Sequence, residues 1–115
     1  MKLILFDSNK YSRKSNLDSL YNLDKDNIEK LDWNYISKNR KLKKSFMVDY
    51  FYYLNKNYIC IYQDLPEEFI EEKIHYLNIN LIIKYQELSV YFLIKYKHKL
   101  NWDLVLKYQI KDLLE

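Results

Sequence analysis

The sequence predicts an all-α fold: a short stack of helix-turn-helix repeats, three full and one partial, with an N-terminal helical cap. Three observations carry that prediction: a repeat of twenty-three residues, an apolar pair bracketing the start of each expected helix, and a lone proline at a helix start. Leu31, Leu54, Leu77 and Leu100 stand twenty-three residues apart, as do Asp32, Asn55, Asn78 and Asn101. Ile36, Ile59, Ile82 and Val105 continue the register, and so do Phe46, Phe69 and Phe92. A fixed period without insertion is the mark of a repeat array, in which each unit lends its neighbour an apolar wall. With 115 residues and 14.4 kDa, the chain is expected to form a single compact domain. Residues 1–30 would form the cap and 31–115 the repeats.

The cap falls outside the register. Leu17, Leu20, Leu23 and Ile28 suggest one or two helices there. Residues 2–6 suggest a helix or extended arm, or a short strand that would lack a partner. In each unit the first helix is expected to start at the Asp or Asn, whose side-chain oxygen can accept an orphan backbone N–H. The preceding Leu and the Ile or Val five residues on form a hydrophobic staple. Leu42, Leu65 and Leu88 pair in the same way with Met47, Ile70 and Leu93 to start the second helix. Ser89 is the expected cap of that helix in the third unit. Pro66 holds the same place in the second, one of the few helix positions a proline tolerates. Glu67 and Glu68 complement the positive end of the helix dipole. The last unit ends at Glu115, so its second helix is expected to be missing or a single turn.

Composition narrows function. The chain has no glycine. That excludes the phosphate-binding loop, the dinucleotide fingerprint and the nucleophile elbow, whose backbones need it. The net charge of +3 permits a nucleic-acid or acidic partner without demanding one, and argues against a DNA mimic. A single cysteine, Cys60, forms no internal disulfide and suits a reducing cytoplasm. No apolar run suggests a signal peptide or a membrane helix. No membrane partner and no cofactor are expected.

The repeat unit resembles short tandem helical repeats found in proteins of large DNA viruses, bacteriophages and some low-GC microbes. Those repeats read Asp-Trp-x-x-Ile-Ser and then Gln-x-Leu-Ser-x-x-Phe-Ile. The segment from Asp32 and Trp33 to Ile36 and Ser37 matches the first part. Gln86, Leu88, Ser89 and Phe92 match the second, with Leu93 in the Ile place. Trp33 and Trp102 are kept, whereas Lys56 and Ile79 replace the Trp between them. The likeness covers residues 31–115 and implies a fold rather than a chemistry. A small AT-rich chain of this kind is also similar in type to phage accessory proteins such as anti-CRISPR proteins.

No set of nucleophile, base and orienting group emerges, so no enzyme is expected. His75 and His98 stand one repeat apart, too far for a shared metal, and are expected on half-exposed helical positions. Cys60 shares its register with Ser37, Ile83 and Leu106, which predicts a buried, inert thiol. Glu67, Glu68, Glu71 and Glu72 suggest a solvated acidic face.

Two surfaces are candidates for binding. Tyr50, Phe51, Tyr52 and Tyr53 point in four helical directions, so Tyr52 or Tyr53 should be exposed. They lie beside Lys41, Lys43 and Lys44. The second surface is the ladder Tyr62, Tyr85 and Tyr108 with Gln63, Gln86 and Gln109. The glutamines either join that stripe or satisfy backbone groups at the turn between the two helices. The three full units carry net charges of +3, −3 and +3, which interrupts a continuous basic track and better suits a mixed-charge protein. The expected function is a non-catalytic protein-binding module, a phage or viral inhibitor of a host defence complex of the anti-CRISPR type (a host protein or ribonucleoprotein complex), with Tyr52, Tyr53 and the segment 41–44 as its contacts. The alternatives are an RNA- or DNA-binding repeat protein using the Tyr/Gln ladder, and a self-associating structural protein.

Overall fold

The computed structural model describes residues 25–110, with side chains from residue 27 onward. The expected arm or strand at residues 2–6, the cap positions Leu17, Leu20 and Leu23, and the end of the last unit at residues 111–115 lie outside the described residues. All described structure is helical. The helices are α1 (Lys25–Glu29), α2 (Trp33–Asn39), α3 (Lys44–Asp49) and α4 (Lys56–Tyr62). They continue with α5 (Glu67–Glu72), α6 (Ile79–Tyr85), α7 (Val90–Lys95) and α8 (Trp102–Tyr108). None exceeds seven residues, a length that is unstable in isolation and held only by packing. The described residues fall into two compact units that divide between Asn55 and Lys56.

In the first unit the Asp32 carboxylate accepts the Tyr35 N–H at 3.0 Å and so starts α2. Ile36, Leu42, Phe46, Met47 and Leu54 are buried. Trp33 stacks on Tyr53 at 5.3 Å and on Tyr50 at 5.9 Å between ring centroids. Its indole N–H donates to the Ile28 carbonyl at 2.8 Å. Buried Ser37 accepts the Asn55 backbone N–H on its Oγ at 2.9 Å.

In the second unit the first helices of successive repeats lie side by side, α4 against α6 and α6 against α8. Asn78 caps α6 by accepting from the Asn80 and Leu81 N–H groups, and Asn101 caps α8 through Asp103 and Leu104. Ser89 caps α7 through Phe92 at 3.1 Å, and Pro66 holds the extended entry to α5. The apolar register positions form the core: Ile59, Phe69, Ile70, Ile82, Phe92 and Val105 are fully buried.

Helix ends explain how the chain does without glycine. The first helices α2 and α6 end in an extended residue, Arg40 at φ −97° and Gln86 at φ −109°, while α8 ends at Gln109 with φ −102° and ψ −35°. The second helices end near φ −110° and ψ 20°, at Tyr50, Lys73 and Tyr96. Hydrogen bonds from Tyr53 to Tyr50, Tyr76 to Lys73 and Lys99 to Tyr96 then close each turn, at 2.8–2.9 Å. Every one of these exits has negative φ, so none needs the left-handed conformation that favours glycine.

Gln86 and Gln109 turn inward and join repeat to repeat. Gln86, 6% exposed, donates through Nε2 to the carbonyls of Cys60 and Gln63, each at 2.7 Å. Its Oε1 accepts the Leu65 N–H at 3.0 Å. Gln109 repeats the set one unit later, donating to Ile83 at 2.6 Å and Gln86 at 2.7 Å and accepting from Leu88 at 3.1 Å. Each side chain thus fills the hydrogen-bonding needs of the turn between the two helices of the preceding repeat. A buried turn left without such partners would be costly.

Candidate functional site

Turning the glutamines inward leaves the tyrosines of the ladder outward. Tyr62, Tyr85 and Tyr108 each end a first helix and are 49%, 51% and 38% exposed. Because α4, α6 and α8 lie in a row, the three rings form one stripe, spaced by about one interhelical distance of 8–10 Å. Lys84 Nζ lies 5.7 Å from the ring centroids of both Tyr85 and Tyr108, and Lys107 lies 5.3 Å from Tyr108. These cations sit within range of ring quadrupoles. The stripe is therefore aromatic with positive charge beside it, on a frame whose turns are pinned from beneath. The Tyr/Gln ladder of the sequence is in the structure a Tyr/Lys stripe, with Gln63 and Gln86 in the interior. The register contained the signal for this, since Lys84 and Lys107 are mates.

The other expected surface is not helical, because α3 ends at Asp49 and Tyr50 to Tyr53 form the turn beyond it, and it divides. Tyr52 is 85% exposed and meets Tyr53 edge-on at 5.2 Å. Tyr53 itself is half-buried on Trp33 and belongs to the aromatic packing of the first unit. Lys41 and Lys43 are exposed, and Lys44 is half-buried at the start of α3.

The acidic face is only partly solvated. The Glu67 carboxylate accepts from the Ser89 backbone N–H and from Ser89 Oγ, the latter at 2.8 Å. Glu71 pairs with Lys95 at 2.8 Å and accepts from the Tyr96 hydroxyl at 3.4 Å. Partial burial and the Glu71 charge raise the Tyr96 phenol above its usual range, and the hydrogen bond to Glu71 raises Lys95. The negative second repeat thus meets the positive third one through named pairs. Sequence reading placed the charges but not these partners, because the pairing depends on which faces of α5 and α7 meet.

Cys60 is buried, and its desolvation pushes the thiol up to about 11; a hydrogen bond with the Asn78 backbone acts the other way. Such a thiol holds its proton at neutral pH and is a poor nucleophile. His75 and His98 lie exposed in the turns that follow α5 and α7, not on the half-exposed helical positions expected, because those helices end at Glu72 and Lys95. Among the described residues no group of three His, Cys, Asp or Glu side chains could hold a metal, and no helix is long and apolar enough to cross a membrane.

Two further features escaped sequence reading. A recess of about 140 Å³ is lined by Ile74, Leu77, Ile79, Tyr96 and Leu100, together with His75 and Lys99. The outer faces of α7 and α8 expose Val90, Ile94 and Leu106. The register mates of Leu106 (Ser37, Cys60 and Ile83) are 0% exposed, whereas Leu106 is 44% exposed. The mates of Val90 and Ile94 are Glu67 and Glu71, which hold the next repeat.

The chain matches no family model, and neither a curated protein nor a solved structure shows a significant likeness to it.

Proposed function

We propose that this chain is a non-catalytic protein-binding module whose repeat frame presents the stripe Tyr62, Tyr85 and Tyr108 to a partner. The observation that carries the reading is the division of labour at two adjacent register positions. The glutamines fix the turns, while the tyrosines beside them stay exposed. A stripe held this way loses little freedom on binding, and tyrosine supplies large contact area with a polar tip. The inhibitor role, acting on a host protein or ribonucleoprotein complex, draws on the resemblance of the repeat to phage and viral arrays. The buried thiol and the isolated histidines support a non-catalytic reading.

The test compares the wild type with Tyr62→Ser/Tyr85→Ser/Tyr108→Ser as baits in an extract of the native host. A protein retained by the wild type and lost by a variant of unchanged helicity supports the reading. Equal retention by both overturns it. A gel shift of single-stranded RNA or DNA at physiological salt, lost in the same variant, would transfer the stripe to nucleic acid.

The exposed aliphatic face of α7 and α8 favours a second reading, self-association through that face. Val90→Glu/Ile94→Glu copies the residues that α5 carries at the same positions. Concentration-dependent dimerisation of the wild type, abolished in this variant, would support self-association. A wild type that stays monomeric in sedimentation would end it.

A further inference from the structure

The residues that line the recess beside α6 have register mates in the first unit, and there an indole packs among them. Ile79 is the register mate of Trp33, Tyr96 of Tyr50, Lys99 of Tyr53 and Ile74 of Ile28. In the first unit the Trp33 indole stacks on Tyr50 and Tyr53 and donates its N–H to the Ile28 carbonyl at 2.8 Å. The last repeat uses the same device: Trp102 donates to the Lys97 carbonyl at 2.7 Å, and Lys97 is the next register mate of Ile74. In the third repeat isoleucine stands at the tryptophan position, and a recess of about 140 Å³ opens against Ile79, Tyr96 and Ile74.

We propose that this recess is a binding site for an indole group. Among its walls Tyr96 is the register mate of Tyr50, on which the fold stacks its own indole, and Leu77 and Leu100 add apolar contact. The Ile74 carbonyl is in register with the two carbonyls that accept indole N–H groups. The size is suitable, since apolar cavities of about 150 Å³ take up benzene, and an open mouth lets the second ring project. His75 and Lys99 also line the recess, and Lys99 is in register with Tyr53, whose ring stacks on Trp33. The site lies at the start of α6, the opposite end from Tyr85, so it is independent of the stripe.

The test titrates the full chain with 3-methylindole and, separately, with N-acetyl-tryptophanamide, following backbone amide shifts by NMR. Saturable shifts centred on Leu77, Ile79 and Leu100 are expected, with millimolar affinity. Binding of both probes marks a site able to take a partner's tryptophan side chain. Binding of 3-methylindole alone marks a site for a free indole. 1-Methylindole, which lacks the N–H, should bind more weakly. The decisive variant is Ile79→Trp, which restores the tryptophan of the first and last repeats. It should fold with a higher melting temperature, show a blue-shifted emission, and bind either probe at least about tenfold more weakly. An absence of shifts for the wild type at saturating probe, or undiminished binding by a folded Ile79→Trp, would overturn the proposal.

Discussion

The side-chain amide of Gln86 donates to the backbone carbonyl of Gln63, its own register mate one repeat earlier, at 2.7 Å. With the bonds to Cys60 and Leu65, it makes one buried side chain the partner of three backbone groups. Gln86→Leu keeps the approximate volume and removes all three bonds. A destabilisation of about 3 kcal/mol is expected, since buried unsatisfied groups cost roughly 1–3 kcal/mol each with partial relaxation. Urea unfolding monitored by far-UV circular dichroism measures it, and a loss below about 1 kcal/mol would contradict the clamp.

Gln86→Glu gives a sharper version of the same test. A carboxylate still accepts from Leu65 but faces two carbonyl oxygens without a proton to offer. Burial and those oxygens should raise its pKa in the folded state. The variant therefore gains stability relative to wild type as pH falls and the carboxyl becomes protonated. Parallel denaturation curves at neutral and mildly acidic pH provide the readout.

The two tryptophans should respond unequally to truncation. Both make the same backbone hydrogen bond, but Trp33 also stacks on two tyrosines, while Trp102 is among the exposed residues. Trp33→Ala is expected to cost about 3 kcal/mol and Trp102→Ala about 1–2 kcal/mol. Thermal denaturation of the two variants checks the order, and equal losses would refute it.

The thiol of Cys60 makes a prediction about alkaline pH. Its pKa rises from 9.0 to about 11 on folding. Between those values the unfolded chain has released the proton and the folded chain retains it. The contribution of this group to stability therefore falls as pH climbs from about 9 to about 11. Cys60→Ser should lose that component of the pH dependence and remain folded, because Ser37 fills the same register slot in the first unit, equally buried. Alkylation of native Cys60 at neutral pH should be slow unless denaturant is added.

Much of the fold was legible because its signals are periodic. Capping by Asp32, Asn78, Asn101 and Ser89, the entry at Pro66 and the buried Leu, Ile and Phe positions all follow from local rules that recur every twenty-three residues. What escaped depends on which faces meet. The two readings of Gln86 could be separated only by the position of the Cys60 and Gln63 carbonyls. Tyr52 and Tyr53 are adjacent in sequence, and only the location of Trp33 decides which of them is covered. The replacement of tryptophan by Ile79 was visible as a letter, but the recess appears only when its walls stay where the indole would have been. Leu106 carries the same apolar character as Ile83, and its exposure reflects its neighbours rather than its own side chain.

The glutamine clamps also point in one direction, always from a later unit back to an earlier one. A chain leaving the ribosome therefore completes a bend before the amide that will secure it has been synthesised. The bend at Leu65 waits for Gln86, and the one at Leu88 waits for Gln109. Each of these two turns thus depends for its buried partners on a segment made after it.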